Sequence, residues 1–481
     1  MFADVVPIAA QQPRLVAFND ELAESLGLDN GGLRAKAAEY FSGNEPLPGA
    51  HPIAQAYAGH QFGSFNPGLG DGRAVLLGEV VDPRGRRFDI GLKGSGRTPF
   101  SRGGDGRATI GPVLREYLMG EAMHALGIPT TRALAAVVTS DVVMRRRPEP
   151  GAVLTRIASS HLRVGTFQYF AARQQPEQVE RLIGYALARH GVEASVGAGV
   201  EAGARPALQL LRSVVARQAR LVAQWMAVGF IHGVMNTDNC TISGETIDYG
   251  PCAFVEPYDL NAVFSSIDES GRYAFGNQPG IAGWNMARLA EALLPHISDD
   301  SDRAVALATA AVEGFQPEFA RAYLSELRRK LGLVSDRDGD QALADDWLAL
   351  LGAHRIDLTL AWRSLGLVHS TEGLAGDDTK IRSLFSEPAI ADDWLSRYRQ
   401  RCASEPMPGR RAAMLATNPL FIARNEHVEA ALDAAVEGEY APFERLLDVL
   451  SDPFTDRPND ADLATPSQLR FLQSFRTFCG T

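Results

Sequence analysis

The chain has 481 residues, 45% hydrophobic and 22% charged, which gives apolar side chains enough for a large core and excludes disordered, collagen-like and coiled-coil classes. Its 47 basic and 58 acidic residues leave a net charge of −11, so no overall basic field attracts a phosphate backbone and nucleic acid is not an expected partner. Four scattered cysteines without a C-x-x-C pair exclude a disulfide scaffold and structural zinc.

The first thirty or so residues lack the basic start and apolar run of a secretory signal. No uncharged apolar run approaches the ~18 residues a membrane span needs. A cytoplasmic, bacterial protein with no membrane partner is therefore expected.

Residues 1–55 mix short helical patches with Pro/Gly turns and read as an N-terminal extension. A glycine-rich stretch runs from His60 to Arg73, followed by an apolar run, Ala74–Val81. A turn at Asp82-Pro83-Arg84-Gly85 leads to a second run, Phe88–Leu92, which ends on Lys93; this is a β-hairpin preceded by a glycine loop. From Pro112 to Leu126, the residues Leu114, Leu118, Ala122 and Leu126 recur at helical spacing, with Pro112 in the first turn and Gly127 as the stop.

Strand-like runs return at Ala133–Val138 and Ala152–Leu154. A Gly/Ala-rich connection near residues 192–205 precedes a long helix marked by Leu211, Val215, Ala219, Val222 and Met226, with Gly229 near its end. Beyond Asp259 the pattern is mostly helical. Mixed sheet first and helices later predict an α+β, two-lobed architecture. The expected divisions are an extension at 1–55, a sheet lobe at 56–160, a second lobe at 161–300 and a helical extension at 301–481.

Arginine is the generic cation here, at 43 against four lysines, so a lysine closing a strand-like run invites a chemical explanation. Lys93 is that lysine. The loop Gly68-Leu-Gly-Asp-Gly72 lets backbone N–H groups approach phosphates, although by itself it reads equally as a plain turn. No Walker A sequence occurs.

Protein kinases place a strand lysine before a helix carboxylate, as Lys93 stands before Glu116 here. The decisive segment is His232-Gly-Val-Met-Asn-Thr-Asp-Asn239 followed by Asp248-Tyr-Gly250, which has the frame of a kinase catalytic loop and metal-binding turn. Asn239 and Asp248 fall where oxygen ligands for Mg²⁺ are expected. The loop aspartate's place holds Val234, which accepts no proton; Asp238 is the one carboxylate of the loop able to replace it. Arg156 and Arg163 supply two guanidiniums suited to phosphate, with ordinary surface charge as the alternative. These residues leave open a silent nucleotide-binding pseudokinase scaffold, a small-molecule phosphotransferase, and an enzyme that holds its nucleotide differently.

The segments Gly68-Leu-Gly-Asp-Gly-Arg73, Leu92-Lys-Gly-Ser-Gly-Arg-Thr-Pro-Phe-Ser-Arg102, Gly127-Ile-Pro-Thr-Thr-Arg132, the catalytic-loop frame, Asp248-Tyr-Gly-Pro251 and Tyr273-Ala-Phe-Gly-Asn-Gln-Pro279 strongly resemble the selenoprotein O (SelO, YdiU) family, and Asn418-Pro-Leu-Phe-Ile-Ala-Arg424 is similar to its C-terminal pattern. The resemblance implies a pseudokinase fold that binds ATP in reversed orientation and transfers AMP to Ser, Thr or Tyr hydroxyls of client proteins, releasing pyrophosphate. Redox-homeostasis proteins are the client class it suggests. It implies that Lys93 and Glu116 grip phosphates, that Asn239 and Asp248 hold Mg²⁺ or Mn²⁺, and that Asp238 is the proton acceptor. Gly70, Gly72, Arg73, Asp105, Gly106, Arg156 and Arg163 would line the nucleotide site.

Many members carry a cysteine or selenocysteine near the C-terminus, which Cys479 matches. The stretch holding its partner in some members reads Val263-Phe-Ser-Ser266 here, with Cys252 as the nearby alternative. A small buried core residue is the commoner fate of such a cysteine.

Overall fold

The computed structural model describes residues 1–145, 147–191, 204–368, 377–405 and 408–478. Strands β1 (Phe2–Asp4), β2 (Arg14–Phe18) and β3 (Ile53–Gln55) come from the first 55 residues. A separate small hairpin, β4 (Gly59–Gln61) and β5 (Ser64–Asn66), precedes β6 (Ala74–Val81) and β7 (Arg87–Lys93). The short β8 (Ala108–Thr109), the long pair β9 (Arg132–Met144) and β10 (Pro148–Ala158), and the two-residue strands β11 (Phe230–Ile231) and β12 (Ala253–Phe254) complete the set among the described residues.

The main sheet runs β1-β3-β6-β7-β10-β9-β2 with β8 against β10, and every pairing in it is antiparallel. Both edges, β1 and β2, therefore belong to the first 55 residues. The turn between β6 and β7 closes on Asp82, whose carboxylate accepts the N–H groups of Arg84 and Arg86. The mixture of antiparallel sheet and helices and the hairpin agree with the sequence reading, but β9 and β10 extend well beyond the apolar runs at 133–138 and 152–154. The extra residues include Thr139, Asp141, Thr155 and Arg156, polar positions that an apolar-run criterion stops at.

Alternation along the strands divides two cores. Leu92, Leu134, Val137 and Val153 face a small cluster under the N-terminal helices, with Leu22, Leu26 and Phe41. Ala133, Ala136, Ala152 and Leu154 face the main core, which continues through the helices to the last elements.

Register sets the site. Arg156 lies opposite Gly91 and Leu154 opposite Lys93, so Arg156 and Lys93 project from the same face of neighbouring strands.

Helix Ile110–Ala125 is buried almost all round because it has cover on both sides. It packs on the sheet in front and on helices Asn425–Val436 and Ala441–Ser451 behind. Arg115 pairs with Glu429, and the Tyr117 and Phe443 rings meet edge-on at 6.1 Å. Helix Pro206–Val228 ends where the sequence predicts, on Gly229 at φ 80°, and packs on helices Gln278–Ile297 and Phe315–Lys330. No helix among the described residues is long and apolar enough to cross a membrane.

Candidate active site

Three distant segments converge below β7. Lys93 Nζ donates to Glu116 Oε2 at 2.6 Å and to Asp248 Oδ1 at 2.7 Å. Arg156 donates through Nε to Glu116 Oε1 at 2.8 Å and through Nη2 to Asp248 Oδ1 at 2.7 Å. Glu116 is thus shared by a lysine on one strand and an arginine on the next. Burial by itself would raise its pKa, but Arg156 and Lys93 outweigh that and hold Glu116 below the ordinary carboxylate value. Asp248 is held well below by Lys93, Arg156 and Arg163 against the same opposing burial. Its backbone sits at φ 63°, in the left-handed region that a non-glycine residue occupies only when its surroundings enforce it. His232 supplies part of that enforcement, since its Nε2 donates to the carbonyl of Ile247 at 2.8 Å.

Arg163 continues the cluster outward. Its Nη2 lies 3.8 Å from Asp248 Oδ2 and its Nη1 3.5 Å from Asp71 Oδ1, and its guanidinium stacks over Tyr57 at 4.3 Å. Nε and Nη1 are buried without a hydrogen-bond acceptor among the described residues. Buried donors left open on a charged group cost free energy unless something completes them.

The proton-acceptor candidate faces a different environment. Asp238 and Asn239 form a short 3₁₀ turn, Thr237–Asn239, in the loop after β11. Asp238 Oδ2 accepts from Gln61 Nε2 at 3.2 Å, while Oδ1 is buried with no partner among the described residues. A Cβ at Gly59 would come within 2.3 Å of that oxygen, so only glycine lets the β4 backbone lie over it. Burial pushes Asp238 up to about 6. Asn239 Nδ2 donates to the carbonyl of Val234 at 3.0 Å, which leaves its Oδ1 as the available donor atom.

Among the described residues, no group of three or more His, Cys, Asp or Glu side chains is arranged to hold a metal by itself. An amide oxygen and one carboxylate are a hard, incomplete donor set. That fits a Mg²⁺-type ion, which keeps much of its shell from water and substrate phosphates.

The glycine loop is tied to the cluster through Asp71. Its carboxylate accepts Gln55 N at 2.9 Å and pairs with Arg163, and burial raises it. The amides of Gly68, Asp71 and Gly72 bond to Asn66 Oδ1, Gln55 O and Gly70 O, so these three N–H groups are spent within the protein. Gly70 and Gly72 pack against Phe100, and the Arg73 carbonyl accepts Gly94 N.

Asp105 and Gly106 lie in the loop before β8. Asp105 is gripped by both terminal nitrogens of Arg145 at 2.7 and 3.0 Å, and Gly106, at φ 68°, passes against the Gly96 carbonyl where a Cβ would lie 2.1 Å away. Lys93, Glu116, Arg156, Arg163 and Asp248 therefore share one network, and Gly70, Gly72, Asp105 and Gly106 form loops beside it. Asp71, Tyr57 and Gln61 belong to the site without having been anticipated; their side-chain partners in the cluster, Arg163 and Asp238, are 92 or more positions away, as with Gln61 and Asp238 at a separation of 177, so no local spacing announces them.

Cys252 is buried, and its thiol donates to the Tyr249 carbonyl at 3.1 Å. Cys479, its possible partner, lies outside the described residues.

A family model described as Protein adenylyltransferase SelO matches residues 1–451 of the chain. Proteins named Protein nucleotidyltransferase YdiU are similar over essentially the whole length. The one from Bradyrhizobium sp. (strain ORS 278) is 56% identical over 486 residues, covering 100% of this chain and 96% of its own. That from Cereibacter sphaeroides (strain KD131) is 55% identical, covering 98% and 94%, and that from Methylorubrum populi is 54% identical, covering 100% and 96%.

Proposed function

The chain belongs to the SelO family of protein adenylyltransferases and is a nucleotidyltransferase; from that premise we propose that it transfers AMP from ATP to Ser, Thr or Tyr hydroxyls of client proteins, with the nucleotide reversed relative to a kinase. The observation that carries this reading is the concentration of Lys93, Arg156 and Arg163 at the inner end of the site, with open donors on Arg163. An adenine ring seeks an apolar slot. Here the space below Gly91 holds the His161 imidazole, whose Cε1 would lie 3.6 Å from a Cβ at that glycine. Three cations suit the outer phosphates of ATP, which leaves the α-phosphate toward Asp238 and Asn239.

In the reaction, a client hydroxyl oxygen bonds to the α-phosphorus. The bond from that phosphorus to the bridging oxygen breaks, pyrophosphate leaves, and the hydroxyl proton passes to Asp238. A buried carboxylate with a pKa raised to about 6 is ionised at neutral pH and is a stronger base than a surface aspartate. Lys93 and Arg156, oriented by Glu116, bind the departing charge; Glu116 acts through them. Asn239 Oδ1 and Asp248 would hold Mg²⁺ or Mn²⁺, which neutralises phosphate oxygens when bound. Val234 fits this reading, because the base it displaces belongs to γ-phosphoryl transfer.

The arrangement is read as a kinase-like pair of lobes, 56–160 and 161–300, with a helical C-terminal extension at 301–481; the expected N-terminal extension at 1–55 instead supplies β1, β2 and β3 of the main sheet, strands too short for the sequence to mark. ATP labelled at the α- or γ-phosphate tests the reading. Label on protein from α alone is expected. Label from γ alone would instead establish a phosphotransferase, and bound ATP with no transferred label a silent scaffold.

A further inference from the structure

The hairpin β4–β5 is fastened to the catalytic loop along its length. His60 N donates to Thr237 Oγ1 at 2.7 Å, Gln61 to Asp238, and Phe62 N to Asn236 Oδ1 at 3.1 Å. Of the surfaces described, it therefore lies immediately beside the reacting carboxylate. Yet its outer face is apolar: Phe62 is 37% and Phe65 41% exposed. Phe62 and Gly63 form the two-residue turn of the hairpin, at φ 51° and 87°, as such a turn requires, and a bulky aromatic rarely fills its first position. Phe62 packs on Tyr273 at 5.1 Å and Phe65 on His60, and both still expose part of their rings beside the loop that carries Asp238, a position that points to a function.

Next to the hairpin, Arg272 stacks on Trp284 at 4.9 Å, and its Nε is buried without a hydrogen-bond partner among the described residues. Gly63 at the hairpin turn faces this guanidinium, with a Cβ there 3.6 Å from its central carbon. His60 links the two halves, 4.9 Å from the Phe65 ring and 5.3 Å from Trp284. Aromatic rings and arginine are the residues that dominate protein-binding hot spots.

We infer that this aromatic and arginine patch receives the client segment carrying the hydroxyl, and that it selects a segment with a large apolar side chain and a carboxylate beside that hydroxyl. The apolar side chain packs on Phe62 and Phe65, and the carboxylate pairs with Arg272. The inference rests on the adenylyl-transfer reading and names the substrate surface of the same site.

The test uses the full chain, α-labelled ATP and a synthetic peptide with one serine flanked by leucine and aspartate, alongside counterparts carrying alanine for leucine or asparagine for aspartate. The doubly substituted Phe62→Ser, Phe65→Ser protein should raise the peptide KM about tenfold, as loss of an interface anchor does, with kcat and the KM for ATP unchanged. Arg272→Gln should lose the preference for aspartate over asparagine while keeping that for leucine over alanine. An unchanged peptide KM in the double variant overturns the docking surface and leaves the adenylyl-transfer reading intact. So does a wild-type enzyme that labels other protein hydroxyls but shows no preference among the peptides. A wild-type enzyme that transfers no α label to any acceptor removes the underlying reading, and this proposal with it.

Discussion

The two halves of the site are built on opposite terms. Around Glu116 every charge has a partner: Lys93 and Arg156 share the carboxylate, Asp248 closes the group, and the helix beneath is clamped between the sheet and the C-terminal helices. Around Asp238 the structure is left incomplete, with one oxygen under Gly59 unpartnered among the described residues, the other accepting from the Gln61 amide, and partly exposed aromatic rings alongside. The first half is organised before any substrate arrives, as electrostatic stabilisation of a leaving group requires. In the proposed reaction the client hydroxyl finishes the second. Arg163 joins them, paired on both sides yet with two donors open.

The contrast can be broken at either end. Asp248→Ala removes the proposed metal ligand and uncovers Lys93 and Arg156 together, and transfer should fall about a thousandfold or more; a variant retaining near-normal turnover would refute the assignment. Asp238→Ala should lower kcat by about 10²–10⁴ while the affinity for ATP, measured by calorimetry, stays close to wild type. If ATP affinity collapsed instead, Asp238 would belong to the preorganised half.

Gln61→Leu removes the side-chain donor to Asp238 Oδ2 and should lower kcat about tenfold with the KM for ATP unchanged, in line with the loss of a hydrogen bond to a charged group. An unaltered kcat would show that the hairpin does not orient the carboxylate.

The smallest effect concerns stability. Glu245 accepts from Ser159 and Ser243 between the segment after β10 and the loop after β11, and enclosure pushes it up to about 7. A folded pKa above the unfolded one stabilises fully below the unfolded value, near 4.5, and that stabilisation is lost as pH rises through about 7. Glu245→Gln should therefore raise Tm by about 1–3 °C near pH 8 and give no gain near pH 4. Equal shifts at both pH values would contradict the assignment.

Much of the preorganised half was legible in the sequence, because kinase-like spacing fixes Lys93, Glu116, Asn239 and Asp248 relative to strand, helix and loop. Arg156 was legible as a residue but not as a strand position, since a charge inside β10 interrupts the apolar run that marks a strand. Register places it diagonally from Lys93, and register is not written in local periodicity. The incomplete half was the less visible. Gln61 and Tyr57 come from a glycine-rich stretch without periodicity, and only the folded chain brings them to Asp238 and Arg163. The first 55 residues carry strands too short to show alternation, although they complete both edges of the sheet.

The central claim is the direction of the nucleotide, and a crystal structure with a nonhydrolysable ATP analogue and Mg²⁺ tests it most directly. The outermost phosphate is predicted to contact Arg156 and Arg163, with the α-phosphorus beside Asp238 and Asn239. A γ-phosphorus beside Asp238, with the base enclosed against β10, would contradict the account.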